Sequence, residues 1–266
     1  MAKAKNNNMK LINDFRVIAN ERLNADFSVL TLQLKLYFKL PSIKPGQFAE
    51  VRIDNTSGVI LRRPISIHDV DYEENRLKLL VQNVGKGTNY LCNLPVDTSL
   101  NLIYPLGNGF PLPQKNQKPL LIGGGCGVAP LLYLGRYFKE NGIKPRFLIG
   151  ARNAKSLILK DEYSRVGELL ITTDDGSEGC MGNVLNHPIF KSQLPDFNIV
   201  YTCGPEVMLK ALANYCQQQK ITCYVSLENR MACGIGACLC CVTETIEGNK
   251  CTCVDGPVFN TKYLKW

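Results

Sequence analysis

The sequence predicts a multidomain chain of β plus α/β class: an N-terminal antiparallel barrel, a parallel-sheet α/β domain and a small C-terminal cysteine-rich module. Three observations predict it. Short alternating apolar strands run as far as Phe110, the rhythm changes to strand–helix alternation beyond a proline-rich stretch at 111–119, and six of the twelve cysteines crowd the last 34 residues. At roughly 150 residues per domain, a chain of 266 holds about two domains, with room for a small module. The boundaries expected are 1–112, 118–226 and 227–266.

In the first stretch Phe27, Val29, Thr31, Leu32, Leu34 and Leu36 roughly alternate, and Leu77, Leu79 and Val81 alternate cleanly, which is the period of a half-buried strand. Pro45-Gly46 punctuates before a short strand at 48–53, and 55–58 reads as a turn. Closely spaced strands with turn signals between them predict an antiparallel barrel.

Beyond the linker, 120–122 is a short apolar strand followed by a glycine run and a helix over Ala129–Glu140 that stops at Asn141-Gly142. Strands at 146–150, 169–173 and 198–203 alternate with helices at 157–166 and Glu206–Gln218, and 222–227 is a last strand. Strand–helix alternation of this kind builds a parallel sheet.

Composition excludes several classes. Hydrophobic content of 45% and charged content of 20% are ordinary globular values. The net charge of +8 is mild and its Lys and Arg are scattered, so no nucleic-acid partner is expected, while an acidic protein surface remains a possible partner. Residues 1–10 are polar and carry no apolar stretch, so no secretory signal is expected. The longest uncharged run, between Lys118 and Arg136, falls short of a membrane span, so neither a membrane partner nor a membrane location is expected and the chain is read as cytoplasmic.

Cysteines at this density without a secretion signal point to metal rather than disulfides. The tail reads Cys233-Gly-Ile-Gly-Ala-Cys238-Leu-Cys-Cys241 with Cys253 downstream, the C-x4-C-x2-C…C spacing of plant-type [2Fe–2S] ligation. Gly234 and Gly236 let the loop fold tightly and aim amide N–H groups at sulfur. A structural zinc is the alternative, with Cys238/Cys241 and Cys251/Cys253 imitating paired ligands. Cys240 and Cys251 are surplus thiols. The earlier six cysteines read as small buried apolar residues.

Two further sites carry chemistry. Leu61-Arg62-Arg63-Pro64-Ile65-Ser66-Ile67, then Leu80-Val81-Gln82 and Val84-Gly85-Lys86-Gly87-Thr88, place a cation, a serine and a helix start where a cofactor's phosphates could be held, although solvated strand-end charges would look alike. Gly123-Gly124-Gly125-Cys126-Gly127-Val128-Ala129-Pro130 lies between a strand and a helix, where glycines admit a dinucleotide. Val128 stands at the third glycine position, and Gly150-Ala151-Arg152 stands where an acidic residue would follow the second strand, so a bare strand-to-helix turn is an equal reading. Asp174-Asp175 could contact ribose hydroxyls.

Together, Arg63-Pro64-Ile65-Ser66, Gly87-Thr88, the 123–130 run, Thr202-Cys203-Gly204-Pro205 and the cysteine tail resemble the ferredoxin–NADP reductase superfamily. Within it the tail, with Cys253-Val-Asp-Gly-Pro-Val-Phe259, is similar to the electron-transfer subunits of the class 1B, NAD-dependent dihydroorotate dehydrogenases. The resemblance spans 15–259. It implies an FAD-binding barrel, a nicotinamide-binding α/β domain and a [2Fe–2S] module. It places FAD on Arg63, Pro64, Ile65 and Ser66, with Leu80, Val81 and Gln82 beside the flavin and Gly87 and Thr88 on the pyrophosphate. It places NAD(H) on Gly123, Gly124, Gly125, Gly127, Cys203, Gly204 and Pro205. It maps the cluster ligands onto Cys233, Cys238, Cys241 and Cys253, with the short 241–253 interval and Cys251 leaving the fourth ligand open.

The chain has two histidines, His68 and His187, both expected in loops or at the surface, and no base-paired nucleophile motif, so no catalytic residue is expected. The resemblance implies electron transfer from NADH through FAD and the cluster to the FMN of a catalytic dihydroorotate dehydrogenase subunit in pyrimidine biosynthesis, in a heterotetramer. A reductase of the same architecture serving another oxidoreductase, or a zinc-stabilised interaction protein, are the alternatives.

Overall fold

The computed structural model describes residues 9–54, 56–192 and 195–266. The expectation of no leader therefore lies mostly outside the described residues, as does Asn55 of the predicted turn; the rest of that turn is closed by Val59 N–H donating to Thr56 O.

Six strands close the barrel: β1 (Leu11–Arg22), β2 (Phe27–Leu34), β3 (Phe48–Val51), β4 (Arg63–Asp71), β5 (Arg76–Gln82) and β6 (Ser99–Leu106), in the order β1-β2-β5-β4-β3-β6 with every pair antiparallel. Alternate residues Leu30, Leu32, Leu34, Leu77, Leu79 and Val81 fill its interior. The predicted alternation stops one step early: β2 ends at Leu34 and Leu36 is 87% exposed in the turn beyond it. A short helix, α1 (Lys86–Cys92), follows β5.

The second part is a seven-stranded sheet of β7 (Pro119–Gly124), β8 (Arg146–Ala151), β9 (Glu168–Thr173), β10 (Cys180–Met181), β11 (Ile199–Cys203), β12 (Thr222–Ser226) and a late arrival, β15 (Val258–Asn260). The order is β10-β9-β8-β7-β11-β12-β15, parallel except for the β12–β15 pair. Helices α2 (Ala129–Glu140), α3 (Lys160–Val166) and α4 (Glu206–Gln218) cover it. The helix expected over 157–166 begins only at Lys160, because Leu159 adopts a left-handed φ of 59° that cannot propagate a helix, while Leu157 and Ile158 pack into the core. Chain order reverses between β7 and β11, and a ligand cleft belongs at the carboxyl ends of those two strands.

The cysteine tail forms a hairpin of β13 (Val242–Thr245) and β14 (Gly248–Cys251) before β15 rejoins the sheet. Cys241 and Cys253 pack with Phe48 of β3 and Leu106 of β6, so the cysteine loop lies against the barrel.

Barrel and sheet meet across α2. Tyr133 OH donates to Ile43 O at 2.8 Å, Arg136 pairs with Asp69 at 2.5 Å, and His68 Nδ1–H donates to Ala129 O at 2.7 Å. This corrects the surface expectation for His68, which is wholly buried in β4; its carbonyl partner is 61 residues away in sequence. His187 does lie between two 3₁₀ turns, accepting from Ile189 N–H. Burial holds the His68 imidazole below its ordinary pKa, with the Ala129 bond opposing. With its folded pKa below its unfolded one, it contributes stability that is complete above the unfolded pKa of about 6.5 and lost as pH falls below it. Urea titrations from pH 7.5 to 5.5 should show a loss of stability as pH falls that is absent in His68→Asn, which keeps a donor near Nδ1. Parallel pH profiles for the two proteins would exclude this role.

Candidate functional site

A cleft of ≈ 290 Å³ opens along the outer face of β4 and β5. Arg63, Pro64, Ile65, Ser66, Leu80, Gln82 and Thr88 line it, and Ser226 to Asn229, Met231 and Pro257 form the opposite wall. Val81, between Leu80 and Gln82, points inward to the barrel core, as strand parity requires. Gly87 does not line the cleft; a Cβ there would meet Arg63 Nε at 2.7 Å, so its absence lets the Nε–Nη2 edge of Arg63 lie against the start of α1. Arg63 Nη1 is anchored on Leu61 O (2.8 Å) and Arg62 O (3.2 Å). The Thr88 hydroxyl accepts from the N–H groups of Val84 (2.9 Å) and Gly85 (3.1 Å), closing the turn ahead of α1. A fixed guanidinium, a braced turn and an apolar strand face suit an anionic, flat cofactor such as FAD.

The second cleft, of ≈ 480 Å³, lies at the reversal between β7 and β11. Gly124, Gly125 and Gly127 line it from one side, Gly204 and Pro205 from the other, with Gly150, Ala151, Arg152 and Asp174 at its far end. Gly125, with φ 56°, has nothing near its Cβ position and is open to a ligand. Gly127 is glycine for packing: a Cβ would lie 2.2 Å from Cys203 O. Gly123 is buried behind the cleft, against Leu131 and Val128, and Cys203 is likewise buried. Asp174 supplies the acidic group missing after β8, whereas Asp175 turns away to accept from Ser177 N–H and Oγ. This shape fits a dinucleotide.

The two clefts share Gln82, Cys126 and Glu228. Sequence motifs missed Glu228, which follows β12 with no periodic or spacing signal around it, and Cys126, inside the glycine run, was expected only as a small buried apolar residue. Cys203 Sγ–H donates to Glu228 Oε1 at 3.8 Å. Burial raises the Glu228 carboxyl and pushes Cys126 up to about 12, and burial with Glu228 nearby puts Cys203 well above the thiol range. The junction therefore holds neutral thiols rather than thiolate nucleophiles.

In the tail, Ile235 N–H (3.5 Å) and Cys238 N–H (3.4 Å) donate to Cys233 Sγ, and Cys253 N–H donates to Cys241 Sγ at 3.4 Å. Against slight burial, these and neighbouring N–H groups bring the Cys233 thiol down to about 6, into the thiolate form that metals take. Gly234 (φ 66°) and Gly236 (φ 85°) shape the loop, and side chains there would strike Glu50 and Val254. Glu50, fully buried beneath Gly234, has no partner for either carboxylate oxygen among the described residues, and burial raises it to about 7. Among the described residues no three His, Cys, Asp or Glu side chains converge as on a single ion. Backbone bonds instead link the cysteines in two pairs, Cys238 N–H to Cys233 Sγ and Cys253 N–H to Cys241 Sγ, an arrangement that suits two irons.

Comparison with known proteins agrees with this geometry. The iron–sulfur cluster binding domain of dihydroorotate dehydrogenase B matches residues 228–265. The chain is 39% identical over 222 residues to the dihydroorotate dehydrogenase B (NAD(+)) electron transfer subunit of Shouchella clausii (strain KSM-K16), covering 81% of this chain and 84% of that one. It is 37% identical over 256 residues to the subunit of the same name from Fusobacterium nucleatum subsp. nucleatum, covering 93% and 96%. Among solved structures, an NADH-dependent reduced ferredoxin-NADP oxidoreductase superposes with a TM-score of 0.83 at 28% identity, over 95% of this chain and 90% of that one. Phthalate dioxygenase reductase shares the fold, with a TM-score of 0.63 at 22% identity over 77% and 64%.

Proposed function

Because the chain belongs to the family of dihydroorotate dehydrogenase B electron transfer subunits, we propose that it carries electrons from NADH, through FAD and a [2Fe–2S] centre, to the FMN of a catalytic subunit that oxidises dihydroorotate to orotate. One observation carries the order of the sites: the dinucleotide cleft runs into the flavin cleft through Gln82, Cys126 and Glu228, and the flavin cleft ends on Met231 and Pro257 of the cysteine module. When bound, the flavin supplies the step from a hydride pair to single electrons and the cluster carries those electrons onward.

The chain's own residues bind, orient and insulate. Gly124, Gly125 and Gly204 let a dinucleotide approach the ends of β7 and β11. Arg63 and Ser66 hold the flavin's polar side and Leu80 its apolar side. Cys233, Cys238, Cys241 and Cys253 hold the irons. Cys238 is exposed, and so are the apolar side chains Ile235 and Leu239 beside it, which makes the cysteine loop the docking face for the catalytic subunit. The assembly is read as a cytoplasmic heterotetramer, with functional units at 1–112, 118–226 and 227–266. Among the described residues no helix is long and apolar enough to cross a membrane.

Purified chain should show flavin and iron–sulfur absorption and reduce artificial acceptors with NADH; a colourless protein with full zinc would overturn the reading. Arg63→Ala should weaken FAD binding about tenfold or more, since a charge-assisted hydrogen bond is worth roughly 1.5–3 kcal/mol and 1.4 kcal/mol is a factor of ten. Stoichiometric FAD surviving extensive dialysis of that variant would remove Arg63 from the site.

A further inference from the structure

Two asparagines that belong to no cofactor motif fix the cysteine module: Asn108 ties it to the barrel, and Asn229, at the module's own start on the flavin-cleft wall, ties that start to the hairpin. Asn108, just beyond β6, donates from Nδ2 to Val254 O (2.9 Å) and Asp255 O (3.0 Å), and its backbone N–H bonds Gly256 O. Asn229, just beyond β12 on the wall of the flavin cleft, donates from Nδ2 to Thr243 Oγ1 (2.7 Å), Thr252 Oγ1 (3.0 Å) and Cys241 O (3.4 Å). Thr252 is wholly buried, its hydroxyl lies 3.0 Å from that of Thr243, and its N–H donates to Cys241 O.

Cys253 stands between the two ties, with Thr252 on one side and Val254 on the other. One tie comes from the barrel that lines the flavin cleft and the other from the segment after β12 that forms the cleft's opposite wall. The β12–β15 pairing and the packing of Cys241 and Cys253 on Phe48 and Leu106 add a third and fourth attachment. The Asn229 bonds are part-buried and end on the wholly buried Thr252, so breaking them leaves unpaired groups in a low dielectric, while the Asn108 bonds lie at the exposed edge of the module.

We infer that Asn108 and Asn229 are positioning residues that make the cysteine module a fixed relay, not a tethered domain that swings between the flavin and the partner. The inference rests on the electron-transfer reading above. A tethered module would have to diffuse to and fro in microseconds to milliseconds before each transfer. Here Cys241 and Cys253 are packed on Phe48, itself a residue of the flavin cleft, before the partner arrives.

The test uses the full chain loaded with flavin and iron. After anaerobic mixing with NADH, bleaching of the iron–sulfur absorption in the parent protein should keep its rate when glycerol raises the viscosity several-fold. In Asn108→Ala/Thr252→Val, which removes the Asn108 side-chain tie and the Asn229–Thr252 bond, leaves Asn229 on Thr243 and touches no cofactor-lining residue, amide exchange at 252–254 should quicken about tenfold, the equivalent of one or two lost hydrogen bonds. Iron–sulfur bleaching should slow and become viscosity-dependent, while flavin bleaching keeps its rate. Asn108→Ala/Thr252→Ser, which restores the hydroxyl, should recover part of the protection. A parent rate that falls in proportion to viscosity, or a double variant that exchanges and bleaches like the parent, would overturn the fixed relay. Should the double variant lose iron, the parent's viscosity dependence still decides. A parent protein without flavin or iron would sink the functional reading itself.

Discussion

Serine at Cys233, Cys238, Cys241 or Cys253 should remove essentially all iron and acid-labile sulfide from the protein, while serine at Cys240 or Cys251 should leave both in place. A hydroxyl is a hard and weakly acidic donor, and iron–sulfur centres select soft thiolate. The proposed ligands Cys233, Cys241 and Cys253 differ in geometry from the surplus thiols. Cys233 receives two backbone N–H bonds, and Cys253, itself buried, sends its N–H to Cys241 Sγ. Cys251 lies in the ladder of β14 opposite Val242, its N–H taken by Asp255 Oδ2 at 2.8 Å. Cys240 is exposed beside Leu239. Six single variants assayed for iron per chain decide the matter. Equal loss in all six would defeat the ligand set, and loss at Cys251 with retention at Cys253 would move the fourth ligand.

The ligand loop could be read from sequence because iron dictates residue type and spacing together, and few other demands give three cysteines at those intervals. The barrel strands were readable for a similar reason: a buried face imposes period two. Parity would even have removed Val81 from the cofactor residues, since Leu77, Leu79 and Val81 share the inner face and leave Leu80 and Gln82 outside.

The glycine run shows where reading stops. Gly123, Gly125 and Gly127 look equivalent in sequence, yet one packs behind the cleft, one faces it, and one is required by the Cys203 carbonyl. Spacing does not say which side of a backbone meets a ligand and which meets a neighbouring strand. His68 and Glu228 fail for a second reason. Their partners, Ala129 O and Cys203 Sγ, are remote in sequence, and only the sheet and barrel packing bring them together. The tail's return as β15 was hidden as well, because three residues are too few to show a period.

Alone, the chain should reduce dyes with NADH and oxidise no dihydroorotate; mixed with a flavin-containing dihydroorotate dehydrogenase core, it should confer NAD-linked activity. In the proposed function electrons enter at the β7–β11 reversal and leave at the cysteine loop, and the barrel, sheet and tail account for the described residues without a further catalytic fold. The exit has the character of an interface. Ile235 is 47% exposed and Leu239 63% exposed, and Leu239 holds a left-handed φ of 57°, an unfavourable backbone state for a leucine on a free surface. Apolar groups displayed around an exposed ligand loop mark a surface that another protein covers. Ile235→Glu places a charge where that cover would desolvate it, at a cost of about 2 kcal/mol or more, so the concentration of core needed for half-maximal coupling should rise about thirtyfold while NADH-to-dye turnover stays as it was. Dihydroorotate oxidation by the isolated chain, or a mixture that gains no NAD-linked turnover, would reject the partner; unchanged coupling in Ile235→Glu would move the docking face away from the cysteine loop.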